Sequence, residues 1–120
     1  MSLVLVVDDD PVTREVIASV MRDDGREVVS AAAADKALEL LEELPVGLVL
    51  LDLGLPGMHG EDFLEQRKAR GLQSKAPVVV ITAAGNAETA SRVRSLGASL
   101  TVTKPFNAQE LVTIAQKFVG

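Results

Sequence analysis

The chain has 120 residues, 48% of them apolar, and a formal net charge of −5 from 12 Lys and Arg against 17 Asp and Glu. That length suits one domain, residues 1–120, able to bury roughly two-thirds of the surface its unfolded form exposes. The lack of cysteine excludes a disulfide scaffold, thiolate metal sites and cysteine catalysis, and the lack of a basic block argues against direct nucleic-acid binding by this chain.

Leu3–Val7 is an aliphatic run that stops in Asp8, Asp9, Asp10 and Pro11. Asp10 before Pro11 reads as the N-cap of a helix over Pro11–Asp24, with Val16, Ile17, Val20 and Met21 on one face. Glu27–Ala32 is a shorter, more polar strand, followed by a helix over Ala34–Leu44 striped with Ala37, Leu38, Leu41 and Leu44. Val46–Leu51 is the most apolar run and leads into Asp52, in "LLDLGLPGMHG". A charged helix over Glu61–Arg70 is anchored by Phe63 and Leu64. Val78–Ile81 leads into Thr82, in "ITAAG", and a helix over Asn86–Ser95 with a thin stripe of Ala87, Ala90 and Val93. Leu100–Thr103 leads into Lys104, in "TKPF", and a helix over Asn107–Val119. Gly25, Gly71 and Gly97 fall just past three helices, where a left-handed residue is wanted.

Strands alternating with helices on short connections imply an α/β fold, (βα)₅, with an open parallel sheet and helices on both faces. The aliphatic first, third and fourth strands suit its covered middle, and the more polar second and fifth its edges. No apolar run approaches the roughly 20 residues a bilayer crossing needs, and the N-terminus lacks a secretory signal pattern. A cytoplasmic protein is the expectation, either freestanding or one piece of a longer chain.

In open α/β sheets, ligands bind beyond the carboxyl ends of the strands. The residues there are Asp8, Asp9 and Asp10, then Asp52, Thr82 and Lys104. If the first and third strands are neighbours, their ends lie about 4.8 Å apart and several carboxylates crowd one spot. Such a cluster is costly unless a cation neutralises it or protons are retained. Oxygen donors without His or Cys favour Mg²⁺, with Mn²⁺ as a substitute. A hydroxyl and an ammonium beside the cation suit an anion, so the set points to phosphoryl chemistry.

Over essentially its whole length the sequence resembles the receiver domain of two-component response regulators. "VLVVDDDP" at 4–11, "LLDLGLPGMHG" at 50–60, "ITAAG" at 81–85 and "TKPF" at 103–106 match that family in kind, order and spacing. The resemblance implies a flavodoxin-like sheet in the order 2-1-3-4-5. It implies that Asp52 accepts a phosphoryl group from a phosphohistidine on a histidine kinase or histidine phosphotransfer protein, with the change read by an output domain or target protein. It implies direct Mg²⁺ ligation by Asp9, Asp52 and the Gly54 carbonyl, with Asp8 holding a metal-bound water. Thr82 and the Ala83 N–H would bind phosphoryl oxygens, and Lys104 would pair with them. The family also has a cis peptide at the position of Lys104–Pro105. The expected state is a monomer or weak dimer, with no membrane partner and no multiple-turnover enzyme activity.

Asp10 is the member of the aspartate run assigned to structure rather than chemistry. His59 stands in the glycine-rich loop where the family usually has aspartate, and is read as exposed and not catalytic. The family commonly has an aromatic residue at the position of Thr101, which swings inward on signalling; with threonine there, a muted or differently built conformational response is expected. Gly54 and Ala84, at positions that influence water access in the family, are both small. A rival reading as a haloacid-dehalogenase-like phosphatase takes Asp8-x-Asp10 as its paired acids. That fold puts its nucleophile after the first strand and needs a cap and further acids near the C-terminus, which are not found. A degenerate receiver acting only as a binding module is disfavoured because the whole set of site residues is present.

Overall fold

A computed structural model describes residues 3–53, 60–72, 75–83 and 87–120. In chain order the elements are β1 (Leu3–Val7), α1 (Pro11–Asp23), β2 (Glu27–Ala31), α2 (Ala34–Glu43) and β3 (Val46–Asp52). They continue with α3 (Gly60–Ala69), β4 (Val78–Thr82), α4 (Ala87–Ser95), β5 (Leu100–Thr103) and α5 (Ala108–Val119). The strands form one parallel sheet in the order β2-β1-β3-β4-β5, as the sequence implies.

Strand side chains alternate between faces, and this splits the interior into two cores. Leu5, Val7, Val49, Leu51, Val78 and Val80 pack with Leu38 and Leu41 of α2, Phe63 of α3 and Val93 of α4. Val4, Val6, Leu48, Leu50, Val79 and Ile81 pack instead with Ile17 and Met21 of α1 and Leu111 of α5. Because both faces are covered, β1, β3 and β4 need apolar residues at every position, hence their unbroken aliphatic runs.

The N-terminus of α1 is built as the sequence predicts. The Asp10 carboxylate accepts from the Val12 and Thr13 N–H groups, with Pro11 in the first turn. Asn107 caps α5 by accepting from the Glu110 N–H at 2.8 Å. Gly25, Gly71 and Gly97 take φ values of 81°, 71° and 102°, the left-handed conformation expected of them. The Lys104–Pro105 peptide is cis.

Besides one-residue shifts at the ends of β2 and of the five helices, three details differ from the sequence reading. β3 and β4 each run one residue further, so Asp52 and Thr82 are the last ladder residues, because Asp52 pairs with Ile81 and Thr82 with Thr103. On α1 the buried residues are Ile17, Ala18 and Met21, while Val16 is 50% exposed; the apolar stripe is wider than the face the sheet covers. On α4, Thr89 and Val93 are buried and Ala87 is exposed. Thr89 and Val93 lie one turn apart on one face, so the buried side of α4 is turned away from Ala87.

Candidate functional site

The register of the sheet assembles the site. Val7 pairs with Leu51, so the residue after β1, Asp8, lies beside the last residue of β3, Asp52. Asp52 pairs with Ile81 and Thr82 with Thr103, which brings Thr82 and Lys104 to the same edge. Asp8 and Asp52 are each 2% exposed and Thr82 is buried with them.

The Lys104 ammonium lies 2.7 Å from Asp52 Oδ2. The Lys104 N–H donates to the Thr82 carbonyl at 2.8 Å, which extends the β4–β5 ladder and fixes where the lysine stem starts. Ala83 follows Thr82 and is exposed at the mouth of the site.

Asp8 is held on several sides. Its N–H donates to the Ala31 carbonyl at 3.1 Å. Its Oδ1 accepts from the Asp10 N–H at 2.9 Å, and its carbonyl accepts from Arg14 Nη1 at 2.9 Å. Burial, then the hydrogen bond it shares with Asp52, pushes the Asp8 carboxyl up to about 7. The Asp10 N–H and the Lys104 charge act in the opposite direction. Asp10 is held below its ordinary value, chiefly by the Thr13 hydroxyl, which donates to Oδ2 at 2.6 Å.

Among the described residues, no three carboxylate or imidazole side chains form a ready cage for an ion. The fit to Mg²⁺ rests on two buried oxygens, Asp8 Oδ2 and Asp9 Oδ1, which no protein N–H or O–H reaches. Mg²⁺ retains several waters and takes only one or two carboxylates, so Asp8 beside Asp52, followed in the chain by a second acid with a bare oxygen, suits it. Gly54, the remaining expected ligand, lies outside the described residues, as do His59 and Ala84.

The structure thus brings together Asp8, Asp52, Thr82 and Lys104, with Asp9 and Ala83 next to Asp8 and Thr82 in the chain. Two features escape sequence reasoning. One is Arg14, whose guanidinium returns to the Asp8 carbonyl; its only signal is its place in the first turn after the aspartate run. The other is an apolar ridge on α1, where Val12 is 70% and Val16 50% exposed. The ridge borders a groove of about 460 Å³ that Lys104, Pro105 and Phe106 also line, so it reaches the edge of the site.

A five-stranded parallel sheet in this order, with acids beyond β1 and β3, a threonine on β4 and a lysine beyond β5, defines the receiver class. The family model for the response regulator receiver domain matches residues 4–116, and the chain belongs to that family. It is 38% identical to the phosphate regulon transcriptional regulatory protein PhoB of Escherichia coli over 109 residues, 91% of this chain and 48% of PhoB. It is 38% identical to an NtrX-like response regulator of Rickettsia bellii over 116 residues, 95% of this chain and 24% of that protein. The chain therefore spans a quarter to a half of these relatives. Among solved structures, the receiver domain of NtrX from Brucella abortus superposes with a TM-score of 0.84 at 35% identity, covering 97% of each chain. A CheY-like receiver domain protein from Methanospirillum hungatei gives 0.85 at 28% identity, covering 98% of this chain and 92% of that one.

Proposed function

We propose that this receiver domain takes a phosphoryl group onto Asp52 from a phosphohistidine on a histidine kinase or histidine phosphotransfer protein, in a Mg²⁺-dependent reaction. The observation that carries the reading is the Lys104–Asp52 pair, 2.7 Å apart in a buried pocket that Asp8 shares. A bond forms between an Asp52 carboxylate oxygen and phosphorus as the phosphorus–nitrogen bond breaks and the imidazole leaves. Mg²⁺, or Mn²⁺ in its place, supplies neutralisation of the crowded carboxylates and of the transferring group. Asp8, Asp9, Asp52 and the Gly54 carbonyl are its proposed ligands, with Asp8 acting through a water.

Lys104 moves its charge from Asp52 to the phosphoryl oxygens, and the Thr82 hydroxyl and Ala83 N–H donate to them. The added charge of about −1.5 to −2 changes which partner or output domain binds. The domain is not a multiple-turnover enzyme on this reading; it modifies itself and slowly loses the group. A cytoplasmic location fits such a partner, and among the described residues no helix is long and apolar enough to cross a membrane. The ridge of Val12 and Val16 gives a donor protein an apolar foothold beside Lys104.

The test is the mass of the protein after incubation with Mg²⁺ and a small phosphodonor. One added phosphoryl group, lost in Asp52→Asn and in EDTA, is expected. No mass gain with active donor, or an equal gain in Asp52→Asn, overturns the reading.

A further inference from the structure

Asp8 has four polar groups, and three of them are tied down. Its N–H is used by Ala31, its Oδ1 by the Asp10 N–H and its carbonyl by Arg14. Oδ2 accepts from no protein N–H, in a carboxyl whose neighbour is the Asp52 carboxyl, and Asp9 Oδ1 likewise lacks a donor. Two of the three ties are backbone groups fixed by neighbouring strands and by the α1 cap. The third is a side chain, and so the one that a single substitution removes cleanly.

We propose that Arg14 is a positioning residue for the cation site: by holding the Asp8 carbonyl, it keeps the Asp8–Asp9 turn in the conformation that leaves those two oxygens bare. The inference rests on the Mg²⁺ reading above. Arg14 sits in the first turn of α1, in the segment that Asp10 starts by capping. Its guanidinium therefore ties the acidic turn to the helix that follows it. A half-buried arginine with a charge-assisted hydrogen bond to a carbonyl is a firm anchor, because its planar fork is already ordered by its own geometry.

Charge and position predict opposite outcomes here, which makes the role measurable. A fixed positive charge near a divalent cation repels it, so an arginine acting only through charge should weaken Mg²⁺ binding, and its removal should tighten it. An arginine that orients the ligands does the reverse. Groups that orient metal ligands typically change affinity by roughly 10–100-fold.

The experiment is calorimetric Mg²⁺ titration of the wild type, Arg14→Met, Arg14→Gln and Arg14→Lys, with amide NMR spectra of each in EDTA. Met and Gln are expected to bind Mg²⁺ about tenfold or more weakly. Lys, which keeps a donor able to reach a carbonyl, is expected to recover part of the loss. In EDTA the Asp9 and Asp10 amide signals should shift while those of α3 and α4 stay in place. Mg²⁺ binding by Met or Gln as tight as wild type, or tighter, overturns the proposal; if one of them fails to fold, the other decides. A wild type that binds no Mg²⁺ overturns this inference and the metal reading together. Wild-type binding with unaffected variants overturns this inference alone.

Discussion

Lys104 Nζ meets Asp52 Oδ2 at 2.7 Å, and while the lysine side chain keeps 26% of its exposure, the aspartate keeps 2%. The pair is thus lopsided: a buried acid whose counter-charge comes in from the rim. In EDTA, removing that ammonium takes from a buried carboxylate its charged donor, which costs about 1–3 kcal/mol. Lys104→Met is expected to lower the unfolding free energy by about that amount at pH 8 in EDTA. Urea denaturation checks it, and an unchanged midpoint contradicts the pairing.

Crowding at Asp8 makes a pH prediction whose sign can be worked out. Its carboxyl is raised from 3.8 to about 7 by burial and by Asp52. Between those values the folded state holds a proton that the unfolded state has released, so stability falls as pH rises. The contribution is fully present below pH 4 and gone once pH passes about 7. Thermal unfolding of wild type and Asp8→Asn in EDTA should therefore show the wild type losing ground to the variant between pH 4 and 7. Mg²⁺ should reverse that loss, and its affinity should fall below pH 7 because Asp8 must give up its proton to serve. A wild-type-minus-variant difference that is flat with pH argues against a shared proton.

The exposed ridge separates docking from chemistry. Val12→Glu or Val16→Glu changes a side chain that is 70% or 50% exposed, so stability should stay within about 0.5 kcal/mol of wild type. Transfer from a phosphorylated histidine kinase is expected to slow by about tenfold or more, since a charge in an apolar contact costs more than 1.4 kcal/mol. Uptake from a small phosphodonor should be unchanged. Equal loss with both donors would place the defect in the site, not in docking.

Thr101 sits on the edge strand β5, half-buried and paired with Val80. It has no ring to move between inner and outer positions. Phosphorylation is therefore expected to shift few α4 amide signals by NMR, and a large rearrangement of α4 contradicts the muted response.

Asp8, Asp9, Asp52 and Thr82 were legible because each lies at the end of an aliphatic run that reads as a covered strand, whereas Lys104, after the more polar β5, and the order of the strands came from the family resemblance. Asp10 was legible through its proline neighbour. What escaped depends on reach and coverage. Nothing in a linear pattern says that the Arg14 side chain turns back to the Asp8 carbonyl, six residues earlier, instead of extending into solvent. Nor does helical periodicity say how much of an apolar stripe the sheet will cover, which is why Val16 read as core and lies outside it. Thr89 shows the converse: a polar letter that the fold buries under α4.

The alternation that divides the interior also divides the site. Asp52 continues the side of β3 that carries Leu48 and Leu50, which rests on α1 and α5, whereas Thr82 continues the side of β4 that carries Val78 and Val80, which rests on α2, α3 and α4. Two residues on adjacent strands are therefore rooted in opposite layers of the molecule. A phosphoryl group on Asp52, if it draws Thr82 toward it as proposed, would pull across the plane of the sheet, one layer against the other. On the proposed reading, the strain of such a pull would fall on the seam between β3 and β4, where the two layers meet.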